Sequence, residues 1–196
     1  NLMGKPDLFH VVEMGAGMGY LAKDVLGYLQ RSAVSSQQSG KEKEVFRHLK
    51  YTIVELNPSV KARQQELLSE FIDKVNWVSD LKDMEPIAGC FLSNELLDAF
   101  PVRVVETNDE LMEIYVDVKG DELVEVKMPC REEAKEYFKD FSVELPEGFR
   151  TEVNLRIKDW LRGVSEKLSE GFVLTVDYGY PAWDYYSKRG AGGRCS

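Results

Sequence analysis

Three alternating glycines stand directly behind a short apolar run near the start of the chain. The run is Phe9-His10-Val11-Val12, and Glu13-Met14 leads from it into Gly15-Ala16-Gly17-Met18-Gly19. After the glycines, apolar residues recur at helical spacing at Leu21, Val25, Leu26 and Leu29. Because glycine lets the backbone turn tightly and approach a ligand, and a helix N-terminus carries free N–H groups, this order predicts a binding turn. An ordinary tight turn between a strand and a helix is the alternative.

The spacing of the glycines and the acid before them narrow the ligand class. The pattern is G-x-G-x-G rather than the G-x-G-x-x-G of dinucleotide binders. Glu13 stands two residues before the first glycine, at the mouth of the predicted turn. A carboxylate there would repel a pyrophosphate, but it suits a ligand that carries an ammonium or sulfonium group. The sequence therefore favours S-adenosylmethionine over NAD.

The composition is that of a globular protein with one domain. The 196 residues are 43% hydrophobic and 30% charged, which allows a sizeable core. The net charge of −9 argues against a nucleic-acid partner, because nucleic-acid binding needs a basic face. No apolar run approaches the ~20 residues of a membrane span. Three scattered cysteines (Cys90, Cys130 and Cys195) and two histidines predict a reducing compartment and no metal site.

Two further apolar runs lead to an acid. Tyr51-Thr52-Ile53-Val54 is followed by Glu55, and Val75-Asn76-Trp77-Val78 leads to Asp80. In doubly wound folds, a carboxylate that ends the second strand accepts hydrogen bonds from both ribose hydroxyls. We therefore favour a ribose as the partner of Glu55 over the alternative of a merely solvated acid, although a Ser/Gln-rich loop widens its distance from the glycines beyond the usual ~20 residues. Asp80 either accepts from an adenine amino group or caps the following helix.

A polar stretch follows the fourth apolar run, Gly89-Cys90-Phe91-Leu92-Ser93. It contains Asn94, Glu95 and Asp98, at the carboxyl edge of the sheet where open α/β folds do their chemistry. The two acids could hold a guanidinium by bidentate bonds and keep it aligned for attack. Alternatively, Asn94 caps a helix whose dipole the acids favour, and both roles could hold together.

From Val102 onward, apolar residues recur at every second position, as in a strand, and turn residues stand at 107–110 and 119–121. This pattern predicts a β-meander over about 102–128, inserted after the fourth strand as a cap, a substrate wall or a homodimer surface. Elsewhere we expect a solvated loop over 31–50, an exposed helix over 131–141, a helix that starts at Thr151 and a fifth strand over 172–176. The alternation of strands and helices predicts an α/β fold with a doubly wound, mostly parallel sheet.

These stretches resemble a known family. The run from Val12 to Gly19 with Leu21 is similar to motif I of class I S-adenosylmethionine-dependent methyltransferases. Three more stretches resemble the MidA-like family, the mitochondrial and bacterial protein arginine methyltransferases tied to respiratory complex I assembly. They are Val54-Glu55-Leu56-Asn57-Pro58 with Ala62-Arg63-Gln64-Gln65, Ser93-Asn94-Glu95-Leu96-Leu97-Asp98-Ala99-Phe100-Pro101-Val102, and Asp177-Tyr178-Gly179-Tyr180-Pro181 with Tyr185-Tyr186. The last two are the more specific.

The resemblance implies a Rossmann-like methyltransferase fold. It implies S-adenosylmethionine bound over Glu13, Gly15, Gly17 and Gly19, with the ribose on Glu55. The acceptor would be an arginine of a complex I subunit, methylated by in-line displacement at the sulfonium methyl. By their position, Glu95 and Asp98 would hold its guanidinium. The expected compartment is the cytoplasm in a bacterium or the mitochondrial matrix in a eukaryote.

Members of this family have a segment before the glycine motif and continue well past the Asp177–Pro181 stretch. The single domain over 1–196 is therefore expected to be incomplete at both ends. The alternative function is a non-catalytic assembly factor that keeps the fold and binds a partner protein through the β-meander. An NAD-dependent oxidoreductase is disfavoured by the glycine spacing and by Glu13.

Overall fold

The computed structural model describes residues 8–34 and 40–186, and these residues belong to two compact units. The first unit contains the described residues up to Asp98 together with Trp160–Asp177. The second unit contains Ala99–Asp159 and the described residues from Tyr178 onward. Cys195 and residues 35–39 of the predicted loop lie outside the described residues.

The first unit is built on a five-stranded sheet in which every neighbouring pair of strands is parallel. Its strands are β1 (Phe9–Met14), β2 (Leu49–Val54), β3 (Val75–Val78), β4 (Ile87–Asn94) and β9 (Leu168–Val176). The helices of this unit are α1 (Tyr20–Val34), α2 (Gly40–His48), α3 (Pro58–Leu67) and, from Trp160 onward, α5 (Arg156–Lys167), with 3₁₀ turns at Ser69–Phe71 and Leu81–Asp83. The predicted parallel α/β fold is confirmed.

Apolar cores cover both faces of this sheet. Val11 and Val12 are neighbours in β1 and therefore point to opposite faces. Val11 packs in a cluster with Leu26 of α1, whereas Val12 packs in a cluster with Phe91 of β4 and Val164 of α5. Burial on both faces explains why the strands read as continuous apolar runs rather than as an alternating pattern.

The strand order is β3-β2-β1-β4-β9. The chain moves outward from β1 through β2 to β3, and then crosses back to place β4 on the other side of β1. The order therefore reverses between β1 and β4. In open parallel sheets, ligands bind outside the carboxyl ends of the strands at such a reversal.

The second unit is a four-stranded antiparallel sheet, with the strand order β7-β6-β5-β8. Its strands are β5 (Arg103–Asn108), β6 (Glu110–Lys119), β7 (Glu122–Pro129) and β8 (Arg150–Val153). Helices α4 (Glu132–Asp140) and α6 (Ala182–Tyr185) also belong to this unit. The turns contain Asp109 and Gly120, both with positive φ, as hairpin turns require. The predicted inserted meander is confirmed.

A buried carboxylate lies on the sheet of the second unit. Glu113 is 2% exposed. The guanidinium of Arg103 donates a hydrogen bond of 2.5 Å to its Oε1, and Arg131 lies 4.0 Å from its Oε2. The apolar cluster of this unit contains Val105, Phe138 and Val153.

Two local predictions were wrong. The segment expected to be a solvated loop over 31–50 contains the end of α1, the helix α2 and the start of β2. Lys and Glu are good helix formers, so the alternation of Lys and Glu at 41–44 suits a solvent-exposed helix as well as a solvated loop. The helix expected to start at Thr151 is the strand β8, and the next helix begins at Arg156.

The edge strand β9 carries exposed apolar side chains on both faces: its neighbours Val173 and Leu174, which point to opposite faces, are 43% and 53% exposed. Among the described residues, no helix is both long and apolar enough to cross a membrane.

Candidate functional site

The glycine turn follows β1 and leads into α1. Gly15, Gly17 and Gly19 have φ values of 72°, 54° and 87°, a region that side chains other than glycine rarely adopt. The N–H of Gly19 donates to the Ala16 carbonyl at 2.8 Å, and the N–H of Lys23 donates to the Gly19 carbonyl at 3.1 Å. The turn thus closes on itself and passes directly into the helix.

The three glycines differ in what surrounds them. A Cβ on Gly15 would lie 3.0 Å from Cδ1 of Leu96, and a Cβ on Gly19 would lie 3.4 Å from Cγ of Gln64. A Cβ on Gly17 would meet no described atom within 4 Å. Gly15 and Gly19 are therefore needed for packing inside the unit, whereas Gly17 presents exposed backbone that a ligand can approach closely.

Glu13 lies inside the unit, on β1. Its side chain is buried, with the residue 3% exposed, and the hydroxyl of Tyr51 donates to its Oε2 at 2.7 Å. Burial raises the pKa of Glu13, and the hydrogen bond from Tyr51 opposes this rise. The sequence had placed this acid at the mouth of the turn. The carboxyl group is therefore buried rather than at the mouth of the turn, and its role in binding stays a prediction.

Glu55 follows β2 directly and is half-buried. Its Oε1 accepts from the N–H of Asn57 at 2.7 Å, and its Oε2 accepts from Nε2 of Gln64 at 3.3 Å. A carboxylate has about four acceptor positions, so each oxygen keeps one for a ligand. Two remaining positions on one carboxylate match the two hydroxyls of a ribose. Asn57 also caps α3, because its side chain accepts from the N–H of Ser59 at 2.9 Å.

The sequence did not single out Gln64, which is fully buried on α3. Its Nε2 donates to the Gly17 carbonyl at 2.8 Å, and its Oε1 accepts from the indole N–H of Trp77 at 3.0 Å. The sequence does contain a pattern that indicates a buried, hydrogen-bonded role for this residue. Gln64 shares the helical face of Val60 and Leu68, and a glutamine on an apolar face requires polar partners.

Asp80 follows β3 and caps a 3₁₀ turn. Its Oδ1 accepts from the N–H of Lys82 at 2.9 Å, and its own N–H donates to Asp83 at 3.2 Å. The capping alternative is therefore observed. The exposed side chain lies at the carboxyl end of β3, and its role toward adenine stays a prediction.

Asn94 is the last residue of β4, and Glu95 and Asp98 lie in the turn that follows it. No helix begins at the residues directly after Asn94, where the chain forms a turn and then continues to β5, so the capping alternative for Asn94 was wrong. Glu95 has a φ of 49°, which is uncommon for a residue other than glycine and occurs at functional sites. All three side chains are exposed.

Two hydrogen bonds tie this turn to the end of β9. The N–H of Glu95 donates to the Val176 carbonyl at 2.8 Å, and the N–H of Leu97 donates to the carboxylate of Asp177 at 3.1 Å. Asp177 belongs to the stretch that carried the family resemblance, yet the sequence gave it no role. The structure shows it as the side chain that holds the polar turn.

Because the strands are parallel, all these groups lie at one edge of the first unit. Across the sheet they follow the order Asp80, Glu55, glycine turn, polar turn. An exposed glycine backbone, a carboxylate with two remaining acceptor positions and a nearby buried acid fit a nucleoside that carries positive charge. Within residues 8–34 and 40–186, no three His, Cys, Asp or Glu side chains are placed to hold a metal ion.

Comparison with known proteins gives a family and two similar structures. Residues 1–193 match the sequence model of a family described as "Putative S-adenosyl-L-methionine-dependent methyltransferase". A crystal structure of a COG1565 superfamily protein from Burkholderia thailandensis is 28% identical, with a TM-score of 0.77 over 97% of this chain and 49% of that one. A second, also from Burkholderia thailandensis and bound to S-adenosyl-homocysteine, is 29% identical, with a TM-score of 0.75 over 95% of this chain and 46% of that one. The chain thus spans about half the length of these two proteins.

Proposed function

Because this chain belongs to that family of S-adenosylmethionine-dependent methyltransferases, we propose that the intact protein transfers a methyl group from S-adenosylmethionine to a protein arginine. S-adenosylmethionine is the cofactor of the family, and a similar structure holds its demethylated product. The observation that carries the proposal is the exposed glycine turn beside the Glu55 carboxylate, at the reversal of strand order.

Each part of this edge has a role in binding the cofactor. Glu55 accepts hydrogen bonds from the ribose hydroxyls through its two remaining acceptor positions. The backbone at Gly17 lies against the ligand, because no side chain stands there. The buried carboxylate of Glu13 favours positive charge near the end of β1. When bound, the cofactor supplies a methyl group made electrophilic by its sulfonium centre.

The acceptor is assigned to the polar turn after β4. Glu95 and Asp98 are two exposed acids within four residues of each other, and planar guanidinium groups pair best with carboxylates. Holding the acceptor in one orientation converts a bimolecular encounter into a directed attack. The uncommon backbone of Glu95, fixed by its bond to Val176, supports a functional role for this turn.

The proposed identity of the acceptor protein rests on the resemblance to the MidA-like family. On that basis the acceptor protein is a subunit of respiratory complex I. The compartment is then the bacterial cytoplasm or the mitochondrial matrix, according to the source of the chain.

The test has two parts, binding and transfer. The intact protein is titrated calorimetrically with S-adenosylmethionine, and Gly17→Val serves as the variant that fills the exposed turn. The protein is then incubated with methyl-labelled S-adenosylmethionine and purified complex I subunits, and methylarginine is measured by mass spectrometry. We expect micromolar binding that Gly17→Val abolishes, and label on arginine.

Variants of the polar turn separate transfer from binding. Glu95→Gln and Asp98→Asn should lose transfer while they keep cofactor affinity, whereas Glu85→Gln, an exposed acid elsewhere in the same unit, should keep both. Failure of the intact protein to bind at millimolar cofactor would refute the proposed function. Binding without transfer to any arginine would refute the acceptor and favour an assembly factor that binds a partner.

A further inference from the structure

Three hydrogen bonds satisfy the amide of Gln64 inside the first unit. The residue has no exposed surface. Its Nε2 donates to the Gly17 carbonyl at 2.8 Å and to Oε2 of Glu55 at 3.3 Å, while its Oε1 accepts from the Trp77 indole at 3.0 Å. One side chain on α3 thus joins the glycine turn after β1, the carboxylate after β2 and the strand β3.

The chemistry of the partners fixes the orientation of this amide. An indole N–H can only donate, so it must face the amide oxygen. The Gly17 carbonyl and the Glu55 carboxylate can only accept, so both must face the NH₂ group. The opposite orientation would bring three acceptors together and set one donor against another. Trp77 therefore determines which end of Gln64 reaches the binding edge.

The stem of Gln64 also packs on the glycine turn. Its Cγ lies 3.4 Å from the position that a Cβ on Gly19 would take. The same side chain thus contacts both ends of the Gly17–Gly19 segment, and it uses one acceptor position of Glu55 while it leaves the others to a ligand.

We propose that Gln64 is a positioning residue of the cofactor site: its amide holds the glycine turn and Glu55 in the relative arrangement that binds S-adenosylmethionine. This inference rests on the proposed function, because it concerns the same binding edge. Gln64 acts through Gly17 and Glu55 rather than by touching the cofactor. Trp77 supports it by keeping the NH₂ group directed at both.

Gln64→Glu is the decisive variant, because it keeps the shape of the side chain and replaces the donor by an acceptor. Its carboxylate can still accept from Trp77, but it faces the Gly17 carbonyl and the Glu55 carboxylate. Among the contacts described for Gln64, Glu55 is the titratable one. A carboxylate buried beside another titrates at a raised pH, and its protonated form regains one donor.

Binding of S-adenosylhomocysteine is measured by calorimetry on the intact protein from about pH 7.5 to about pH 5.5. We expect Gln64→Glu to weaken binding at least about tenfold at the higher pH, as loss of a hydrogen bond to a charged group does. We expect much of this loss to be recovered at the lower pH. Gln65→Glu adds the same charge to an exposed neighbour on the same helix and should match the wild type throughout.

Two further variants separate positioning from folding. Gln64→Met keeps the length of the side chain and removes its hydrogen bonds, so it should weaken binding to an extent that does not change with pH. In a Glu55→Gln background, Gln64→Glu should cost less than it does alone, because the facing carboxylate is gone. Urea unfolding of each variant shows whether the fold persists.

Each outcome decides the inference. If wild type binds and Gln64→Glu behaves like Gln65→Glu, the positioning role is wrong and the proposed function stands. A loss for Gln64→Glu that stays the same at every pH also overturns it. Should Gln64→Glu fail to fold, wild-type affinity in Gln64→Met would overturn it. If wild type itself does not bind, the proposed function fails and this inference fails with it.

Discussion

Glu55 should control affinity for the ribose of the cofactor, and Glu55→Gln tests this with almost no change of shape. Both oxygens of Glu55 already accept one hydrogen bond, from Asn57 at 2.7 Å and from Gln64 at 3.3 Å. In the variant an NH₂ group replaces one oxygen, so whichever way the new amide points, it sets a donor against a donor.

The expected magnitude follows from the bonds that are lost. One ribose hydroxyl loses its charged acceptor, and a hydrogen bond to a charged group contributes about 1.5–3 kcal/mol. The dissociation constant of S-adenosylhomocysteine should therefore rise about 10–100-fold. Glu66→Gln removes an exposed acid from the same region of α3 and should leave affinity at the wild-type value.

The assay is calorimetric titration of S-adenosylhomocysteine and of its 2′,3′-dideoxy form into each protein. The dideoxy ligand offers no hydroxyls, so Glu55→Gln should weaken its binding far less than it weakens binding of the natural ligand. A rise of less than about threefold for the natural ligand would show that Glu55 is not the ribose acceptor. An equal loss for both ligands would mean that the variant disturbs the site in another way.

Three further predictions concern stability. Burial and the nearby Lys50 lower the pKa of His10 to about 4 from 6.5, so His10 takes up a proton at a higher pH in the unfolded chain than in the folded protein. In urea unfolding, the free energy of unfolding of the wild type should therefore fall by about 2 kcal/mol more than that of His10→Gln between about pH 7.5 and about pH 5. Parallel pH profiles of the two proteins would contradict this. Glu13 has a raised pKa, so its contribution to stability is lost as the pH rises. Glu13→Gln should therefore unfold no more easily than wild type near neutral pH. In calorimetry, the same variant should show a reduced preference for S-adenosylmethionine over S-adenosylhomocysteine. An unchanged preference would show that Glu13 does not act on the sulfonium group. A Cβ on Gly89 would lie 1.8 Å from the His10 carbonyl oxygen, so Gly89→Ala should force β1 and β4 apart and lower the melting temperature strongly, whereas Gly179→Ala, with no described atom within 4 Å, should not.

Features set by neighbours in the chain could be predicted from the sequence. The glycine turn, the helix after it and the hairpin turns of the meander depend on which backbone angles each residue tolerates. Those angles are local properties, so Gly15 and Gly120 predict turns without information about the rest of the fold. The alternation of apolar strands and helices likewise predicted the parallel sheet.

The wrong predictions concern residues whose secondary structure depends on contacts with distant segments of the chain. Residues 150–153 form β8 because they pair with β5 across the unit, and no local pattern reveals that partner. Helix capping by Asn94, one of the two alternatives for this residue, does not occur because Val176 and Asp177 at the end of the neighbouring strand fix the following turn.

What the sequence determined by itself is the chemistry at the candidate binding edge: a glycine turn without side chains, and acids at the ends of strands. Only the tertiary structure decided how those groups lie together. The position of β1 between β2 and β4 places the reversal of strand order beside the glycines, and Gln64 and Trp77 join three separate segments around Gly17. The reason is physical, since backbone preferences act within a few residues, whereas burial and hydrogen bonding depend on which segments meet after folding.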